Sequence, residues 1–189
     1  KVQEKAPLIL KRDEAYIGVL IDDLITKGTE EPYRMFTSRA EFRTLLRQDN
    51  ADFRLTPLSH EIGLASEKRL RRMEHKLNES EKMVAFFKET SITPAEANPI
   101  LEAKETALID QSDKMFKMFS RPQIDLEDMM KLDKVNDYIE ANDIDLEILE
   151  QAEIQVKYSG YIEKERNNAN KLLRLEDLKI PDDFDYNNI

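Results

Sequence analysis

Residues 31–56 of the chain read EPYRMFTSRAEFRTLLRQDNADFRLT, the one stretch in which arginines recur at helical spacing among apolar residues. Pro32 disfavours a helical conformation at the residue before it, which places an element boundary there. Ser38 and Glu41 are three residues apart, which is the spacing of a capping box. The pattern therefore predicts that a helix starts at Ser38.

Arginines lie along one side of this predicted helix. Arg39, Arg43 and Arg47 occupy positions i, i+4 and i+8 and form a single stripe. Arg34 before the helix and Arg54 after it extend the basic surface. Planar, permanently charged guanidinium groups held in this way bind phosphates or carboxylates. The alternative is that these arginines form exposed ion pairs with nearby acidic residues. Such ion pairs stabilise a protein little.

The composition is typical of a helix-rich soluble protein. The chain has 189 residues, enough for one domain or two small ones, with 36% charged and 40% hydrophobic residues. Four glycines and seven prolines are few for the many turns of a β-sandwich or barrel. No apolar run reaches the length of a membrane span. Without cysteine, the chain has no disulfide, thiol nucleophile or cysteine-bound metal, which fits a cytoplasmic protein.

Charge is distributed unevenly along the chain. Residues 1–90 carry 17 Lys and Arg against 16 Asp and Glu, a net charge of +1. Residues 91–189 carry 12 against 23, a net charge of −11. Because local fields decide what a surface attracts, the acidic total does not exclude a polyanionic ligand for the N-terminal half. The C-terminal half is expected to be solvated or to contact a different partner.

Helical periodicity predicts an all-α fold, a helical array with two long helices and several short ones. The long helices are expected at residues 66–90 and 145–178, after the capping residues Ser66 and Asp145. A further helix is expected over residues 13–27. Shorter helices are expected to begin at Thr56, with Pro57 as the first helical residue, and near Thr93, Asp125 and Asp133.

Two features of the helix at 13–27 concern its packing. Gly18 in a helix interior costs about 1 kcal/mol relative to alanine, which predicts a compensating close backbone contact with a ligand or a neighbouring helix. Asp22 and Asp23 are adjacent and are expected to point to different faces, which disfavours a catalytic or metal-binding pair. Gly28 follows the last helical residue and is typical of a C-terminal cap.

A second set of basic residues lies on the helix predicted at 66–90. Arg69, Arg72 and Lys76 share one side, and this secondary basic face is a candidate extension of the anion-binding surface of Arg39, Arg43 and Arg47. The alternative is a solvated face without nucleic-acid contact. The sequence has no Gly-rich phosphate loop, no metalloprotease motif and only two histidines, so neither catalytic residues nor metal ligands are predicted.

Several segments resemble the MnmG (GidA) family, the tRNA uridine 5-carboxymethylaminomethyl modification enzymes. They are DEAYIGVLIDDL at 13–24, EPYRMFTSRAEFR at 31–43, LRQDNAD at 46–52 with RLT at 54–56, and EIQVKYSGYI at 153–162. The resemblance implies that residues 1–65 are the end of an FAD-binding portion with an arginine-rich junction. It also implies that residues 66–189 are a C-terminal helical domain, truncated at its C-terminus.

The resemblance implies a function for a longer protein. Family members use FAD and NADH, and with the MnmE GTPase they add a carboxymethylaminomethyl or aminomethyl group to the wobble uridine of tRNA. They are homodimers, and the implied partners are tRNA and MnmE, without a membrane. The Gly-rich loop and catalytic cysteines of the family are absent from these residues. This chain alone is therefore expected neither to be catalytic nor to bind the cofactors.

The resemblance also bears on single residues. Arg34, Arg39, Arg43 and Arg47 match family arginines by position, and they become candidates for contacts with tRNA phosphates or an active-site anion. Phe42 stands where many members have tyrosine, which argues against a required hydroxyl at this position. The alternative hypothesis for the whole chain is a non-catalytic helical protein-interaction module without nucleic-acid binding.

Overall fold

The computed structural model describes residues 7–28 and 30–176, and within them the fold is all-α, as predicted. The helices are α1 (Tyr16–Thr26), α2 (Ala51–Glu61), α3 (Glu67–Glu89), α4 (Pro94–Ala103), α5 (Met115–Phe119), α6 (Leu126–Met129), α7 (Asp133–Asn142) and α8 (Leu146–Glu176). Two short strands, β1 (Ser91–Ile92) and β2 (Asp113–Lys114), pair antiparallel, with Ser91 opposite Lys114. In this part of the chain, no helix combines the length and the apolar character needed to cross a bilayer.

The described chain forms two compact units. The first unit comprises the described parts of residues 1–48 and 160–189, and the second comprises residues 49–159. The predicted division between residues 1–65 and 66–189 concerns domains of a longer protein and stays a prediction.

Both predicted long helices are present. The Oγ of Ser66 accepts a hydrogen bond from the backbone N–H of Arg69 at 3.3 Å and caps α3 as predicted. A carboxylate oxygen of Asp145 accepts a hydrogen bond from the backbone N–H of Ile148 at 2.9 Å, and α8 begins at the next residue. α8 continues through Gly160 without a break, and its predicted end at residue 178 lies outside the described residues.

The second unit has an apolar core built by α3 to α8. The rings of Phe87 and Phe119 are both fully buried, with centroids 5.0 Å apart, and Phe86 stacks on Tyr138 at 4.2 Å. α5, which directly follows β2, contributes three buried side chains to this core: Met115, Met118 and Phe119. This core holds α3 and the first half of α8 in place; α3 carries the secondary basic face, and α8 carries Glu147, which pairs with Arg72 and Lys76.

Local caps set the starts of the short helices in this unit. Thr93 and Glu96 form a capping box at α4, and Asp125 and Asp128 form another at α6. The hydrogen bond from Lys134, together with those from Thr93, lowers the pKa of Glu96 to about 2. Because the bonds of each capping box join residues three positions apart, the sequence pattern alone was enough to predict both helix starts.

The start of α2 corrects the prediction that a helix opens at Pro57. α2 begins at Ala51, and Pro57 lies in its interior, where it cannot donate a hydrogen bond to the preceding turn. The backbone N–H and side chain of Arg54 both bond to Asn50, at 3.3 and 3.0 Å, and these bonds close the first turn six residues earlier than predicted. Gly63 follows the helix with a positive φ of 81° and ends it as predicted.

The helix predicted from Ser38 does not form. A 3₁₀ turn covers Thr37–Arg39, Ala40 is extended and buried, and the following residues form turns. The predicted capping box fails because the Glu41 carboxylate accepts hydrogen bonds from Arg12, at 2.6 and 2.8 Å. A tertiary partner therefore replaces the local one, and Arg39, Arg43 and Arg47 do not share a helix face.

α1 begins at Tyr16, three residues later than predicted, because the backbone N–H groups of Glu14 and Ala15 bond to the carbonyl of Lys11. The close contact predicted at Gly18 is present. A Cβ at that position would lie 2.2 Å from the carbonyl oxygen of Lys11, so the contacting backbone is the preceding segment and neither a ligand nor another helix. Gly28 has a positive φ of 66° after the helix, as expected of a C-terminal cap.

Candidate nucleic-acid interface

Arg12 fixes the arginine-rich segment of the first unit. Its guanidinium donates hydrogen bonds to Asp22 at 2.7 Å and Asp23 at 2.8 Å on α1, and to Glu41 at 2.6 and 2.8 Å. It also donates to the backbone carbonyl of Arg39 at 3.1 Å. The Arg12 side chain is only 17% exposed. One half-buried cation thus joins α1 to the segment that carries the candidate arginines.

Asp23 is the buried centre of this network, with its side chain 1% exposed. It accepts hydrogen bonds from Lys27 at 2.9 Å, from Arg12, and from the hydroxyl of Tyr33 at 2.8 Å, and the Arg39 guanidinium lies 3.7 Å away. The bonds from Lys27 and Arg12 hold the pKa of Asp23 well below its usual range. The bond from Arg12 likewise lowers the pKa of Glu41.

Asp22 and Asp23 differ in exposure, at 39% and 1%, as expected of neighbours on different sides of α1, yet both accept hydrogen bonds from one guanidinium nitrogen of Arg12. Every polar group involved has a charged partner, so the arrangement is that of a structural ion-pair network. In the described ranges, no three His, Cys, Asp or Glu side chains cluster in a way that would hold a metal ion.

Three of the predicted arginines are exposed in the first unit: Arg34, Arg39 and Arg43. The guanidinium of Arg39 lies 4.8 Å from the ring centroid of Tyr33, and that of Arg34 lies 5.4 Å from the ring centroid of Phe36. Phe36 itself is 47% exposed. Exposed arginines interleaved with aromatic rings can bind both the phosphates and the bases of single-stranded RNA.

The other two predicted arginines are half-buried and bond locally. Arg47 donates to the carbonyl of Thr44 at 2.7 Å, and Arg54 donates to the side chain of Asn50 at 3.0 Å. Arg54 also belongs to the second unit. The five arginines are therefore not one helical stripe, and only three of them lie exposed together along the segment 34–43.

The secondary basic face is largely neutralised. The side chain of Lys76 is 9% exposed, and its ammonium bonds to Asp52 at 2.8 Å and to Glu147 at 3.0 Å. Arg72 bonds to Glu147 at 3.0 Å. Burial opposes the charge on Lys76, but the bonds to the two carboxylates raise its pKa overall. Arg69 is exposed and, together with Arg72 and Lys76, lines a pocket of about 370 Å³. Ion pairing with Asp52 and Glu147 thus describes Arg72 and Lys76 better than anion binding does, and the half of the alternative that expected no nucleic-acid contact stays a prediction.

Arg12 and Tyr33 are the residues of this site that sequence reasoning missed. One signal was available: Asp23 lies four residues after Val19 and shares the buried side of α1 with it. A carboxylate on a buried helix face requires a cationic partner, because an unpaired buried charge is costly. The identity of that partner could not be read from the sequence, since Arg12 lies outside α1.

Comparisons with known proteins agree with the fold and the segments described above. The family "tRNA modifying enzyme MnmG/GidA C-terminal helical domain" matches residues 67–166, more than half of the chain. The chain is 81% identical to a protein of Flavobacterium johnsoniae and 78% identical to one of Flavobacterium psychrophilum. Both are named tRNA uridine 5-carboxymethylaminomethyl modification enzyme MnmG, and both alignments cover all of this chain and 30% of the relative.

A solved structure gives the same result. Aquifex aeolicus GidA in the form II crystal is similar with a TM-score of 0.71 and 39% sequence identity, over 98% of this chain and 28% of that chain. The chain therefore spans about 30% of the length of the curated relatives and the solved structure that it matches. On these similarities, the chain belongs to the family of tRNA-modifying MnmG/GidA proteins.

Proposed function

We propose that the chain is the C-terminal part of a tRNA-modifying flavoenzyme and contributes tRNA contacts through Arg34, Arg39 and Arg43. The longer protein, with the MnmE GTPase, adds a carboxymethylaminomethyl or aminomethyl group to the wobble uridine of tRNA. It acts as a cytoplasmic homodimer. In this proposal, residues 1–65 end the FAD-binding portion and residues 66–189 form the C-terminal helical domain, which offers a docking surface to the GTPase.

One observation carries the proposed tRNA contact. Residues 33–47 contain four arginines and a single acidic residue, Glu41. Because Arg12 binds the Glu41 carboxylate, the exposed guanidinium groups of Arg34 and Arg43 are not neutralised within this segment. The Arg39 guanidinium is exposed too, and it lies 3.7 Å from the buried Asp23 carboxylate. Such a cluster attracts the phosphates of an RNA backbone.

The residues of this chain do not fit a dinucleotide. Its four glycines are widely separated, so no Gly-rich turn can approach a pyrophosphate at a helix N-terminus. FAD, which would supply the redox chemistry, and NADH would therefore have their pyrophosphate sites in the part of the longer protein outside these residues. The chain by itself is proposed to be non-catalytic.

The tRNA contact is tested by replacing Arg39 and Arg43 with alanine in the full-length protein. We expect tRNA binding to weaken by about tenfold or more, because two phosphate contacts are lost. The slope of log affinity against log salt should become less negative by about 0.7 to 0.9 for each lost contact. Fluorescence anisotropy with labelled tRNA at several salt concentrations measures both quantities.

A matched control removes the same charge elsewhere. Arg71 and Lys82 are exposed and pair with glutamates on α3, at 2.9 and 2.7 Å. The double substitution Arg71→Ala with Lys82→Ala should leave the affinity and the salt slope almost unchanged. An Arg39→Ala, Arg43→Ala protein that binds tRNA as tightly as the wild type would contradict the proposed contact.

The second candidate function is a protein-interaction module without nucleic-acid binding. It is favoured by the net charge of −11 over residues 91–189 and by exposed apolar side chains on α8: Leu146, Tyr158, Tyr161 and Leu172. This hypothesis predicts that the protein captures purified MnmE GTPase while showing no salt-sensitive tRNA binding. Capture together with salt-sensitive binding would instead support both roles for different parts of the chain.

A further inference from the structure

The short segment Tyr33–Phe36 precedes the 3₁₀ turn, and the burial of its side chains alternates along it. Its last residue, Phe36, has extended backbone angles. Tyr33 is half-buried, and its hydroxyl donates a hydrogen bond to the buried Asp23 at 2.8 Å. Met35 packs against a buried cluster that contains Val19. Successive side chains of an extended segment point to opposite sides. The two inward anchors therefore turn Arg34 and Phe36 outward together.

The outward pair is held in a fixed position. The backbone carbonyl of Phe36 accepts a hydrogen bond from the N–H of Arg39 at 3.0 Å, at the start of the 3₁₀ turn. Ala40, which ends that turn, is 4% exposed and belongs to the same buried cluster. A ring presented on an anchored backbone loses little conformational entropy when a ligand stacks on it.

The residues around Phe36 indicate which kind of ligand could bind there. The guanidinium of Arg34 lies 5.4 Å from the ring centroid, and the side chain of Phe36 remains 47% exposed, so a flat group can still stack on the ring. Arg39 and Arg43 are exposed further along the same segment. An apolar protein partner would bury these charges at a cost, whereas a polyanion with flat bases complements both the ring and the charges.

We infer that Phe36 is a stacking site for one unpaired base of RNA, flanked by phosphates that Arg34 and Arg39 bind. The inference rests on the proposed tRNA contact and adds that this segment distinguishes unpaired from paired RNA. Arginines that bind phosphates act on paired and unpaired RNA alike. A ring that stacks on a base requires a base that is not already stacked in a helix. Phe36 therefore gives the segment a preference for single-stranded nucleotides.

The test uses the full-length protein with the substitutions Phe36→Ala, Phe36→Leu and Phe36→Tyr. The probes are unmodified transcribed tRNA and a fully paired RNA duplex. We expect Phe36→Ala to weaken tRNA binding by about 5- to 140-fold, the range of one lost base–aromatic stack. The salt slope should not change, because no charge is removed. Phe36→Tyr should bind as the wild type, Phe36→Leu should resemble Phe36→Ala, and duplex binding should be unaffected.

Tyr158→Ala is the matched control, because Tyr158 is 49% exposed and lies on α8 in the second unit. It should leave tRNA affinity unchanged. The thermal unfolding midpoint of each variant is measured in parallel, and the inference requires that Phe36→Leu loses affinity at an unchanged midpoint. Wild-type affinity for Phe36→Leu or Phe36→Ala, or an equal loss on the duplex, would overturn it.

The outcomes also separate this inference from the proposed function. If the double substitution Arg39→Ala, Arg43→Ala weakens tRNA binding and Phe36→Ala does not, the stacking inference is wrong and the proposed tRNA contact is supported. If neither the arginine substitutions nor the Phe36 substitutions weaken tRNA binding, both the proposed tRNA contact and the stacking inference are wrong. If Phe36→Ala and Phe36→Leu lower the unfolding midpoint strongly, the ring is a packing residue of the longer protein and the stacking inference is wrong.

Discussion

At the scale of single residues, charge balance explains the network around Asp23. Arg12, Lys27 and Arg39 supply three positive charges, and Asp22, Asp23 and Glu41 supply three negative charges. Removing one partner of a buried pair leaves an uncompensated charge and costs about 3–5 kcal/mol, whereas exposed pairs contribute about 1 kcal/mol or less. Most of the stabilisation should therefore depend on the one buried carboxylate, that of Asp23.

The substitution Asp23→Asn is expected to reduce the free energy of unfolding at neutral pH. Because the folded protein holds the pKa of Asp23 below its unfolded value of about 3.9, the stabilisation is complete above that value. It is lost as pH falls below 3.9 towards the folded pKa. The difference between wild type and Asp23→Asn should therefore shrink between pH 5 and pH 2, as measured by urea unfolding.

Asp22→Asn serves as the control, because Asp22 contacts the same guanidinium but is 39% exposed. It should change the free energy of unfolding by about 1 kcal/mol or less. A difference between wild type and Asp23→Asn that stays constant down to pH 2 would show that the ionised carboxylate does not stabilise the fold.

At the scale of elements, two helical glycines have opposite surroundings. A Cβ at Gly18 in α1 would lie 2.2 Å from the carbonyl oxygen of Lys11 and 2.6 Å from that of Leu10, and backbone cannot give way easily. A Cβ at Gly160 in α8 would meet nothing within 4 Å. The same chemical change should therefore have opposite effects in the two helices.

Gly160→Ala is expected to raise the free energy of unfolding by about 0.5–1 kcal/mol, because glycine in a helix interior is less favourable than alanine. Gly18→Ala should lower it by roughly 1–3 kcal/mol, the usual cost of overpacking that shifts backbone. Urea unfolding followed by circular dichroism measures both. Equal effects of the two substitutions would contradict the close approach of residues 10–11 to α1.

The elements also show which helix starts are predictable. The starts at Ser66, Thr93, Asp125 and Asp145 agree with the sequence pattern, because each cap bonds to a residue three positions away. The helix predicted from Ser38 failed because the matching partner, Glu41, bonds to a side chain 29 residues away in sequence. Local spacing cannot reveal such a competitor.

At the scale of the whole molecule, the fold class and both long helices were predictable, since they depend on periodicity and composition. The candidate site was predictable only in part. Its exposed arginines follow from the family resemblance, but their arrangement depends on the contacts of Arg12, Asp23 and Tyr33 between segments distant in sequence. The sequence also could not show that Arg72 and Lys76 share Glu147, which lies about 70 residues further along.

The alternation along Tyr33–Phe36 makes this segment sensitive to its length. Inserting or deleting one residue between Pro32 and Thr37 would exchange its two sides, because the side-chain period of extended backbone is two. Arg34 and Phe36 would then point towards the buried cluster, and the anchors Tyr33 and Met35 would face outward. Among related sequences, length changes in this segment should therefore be rare.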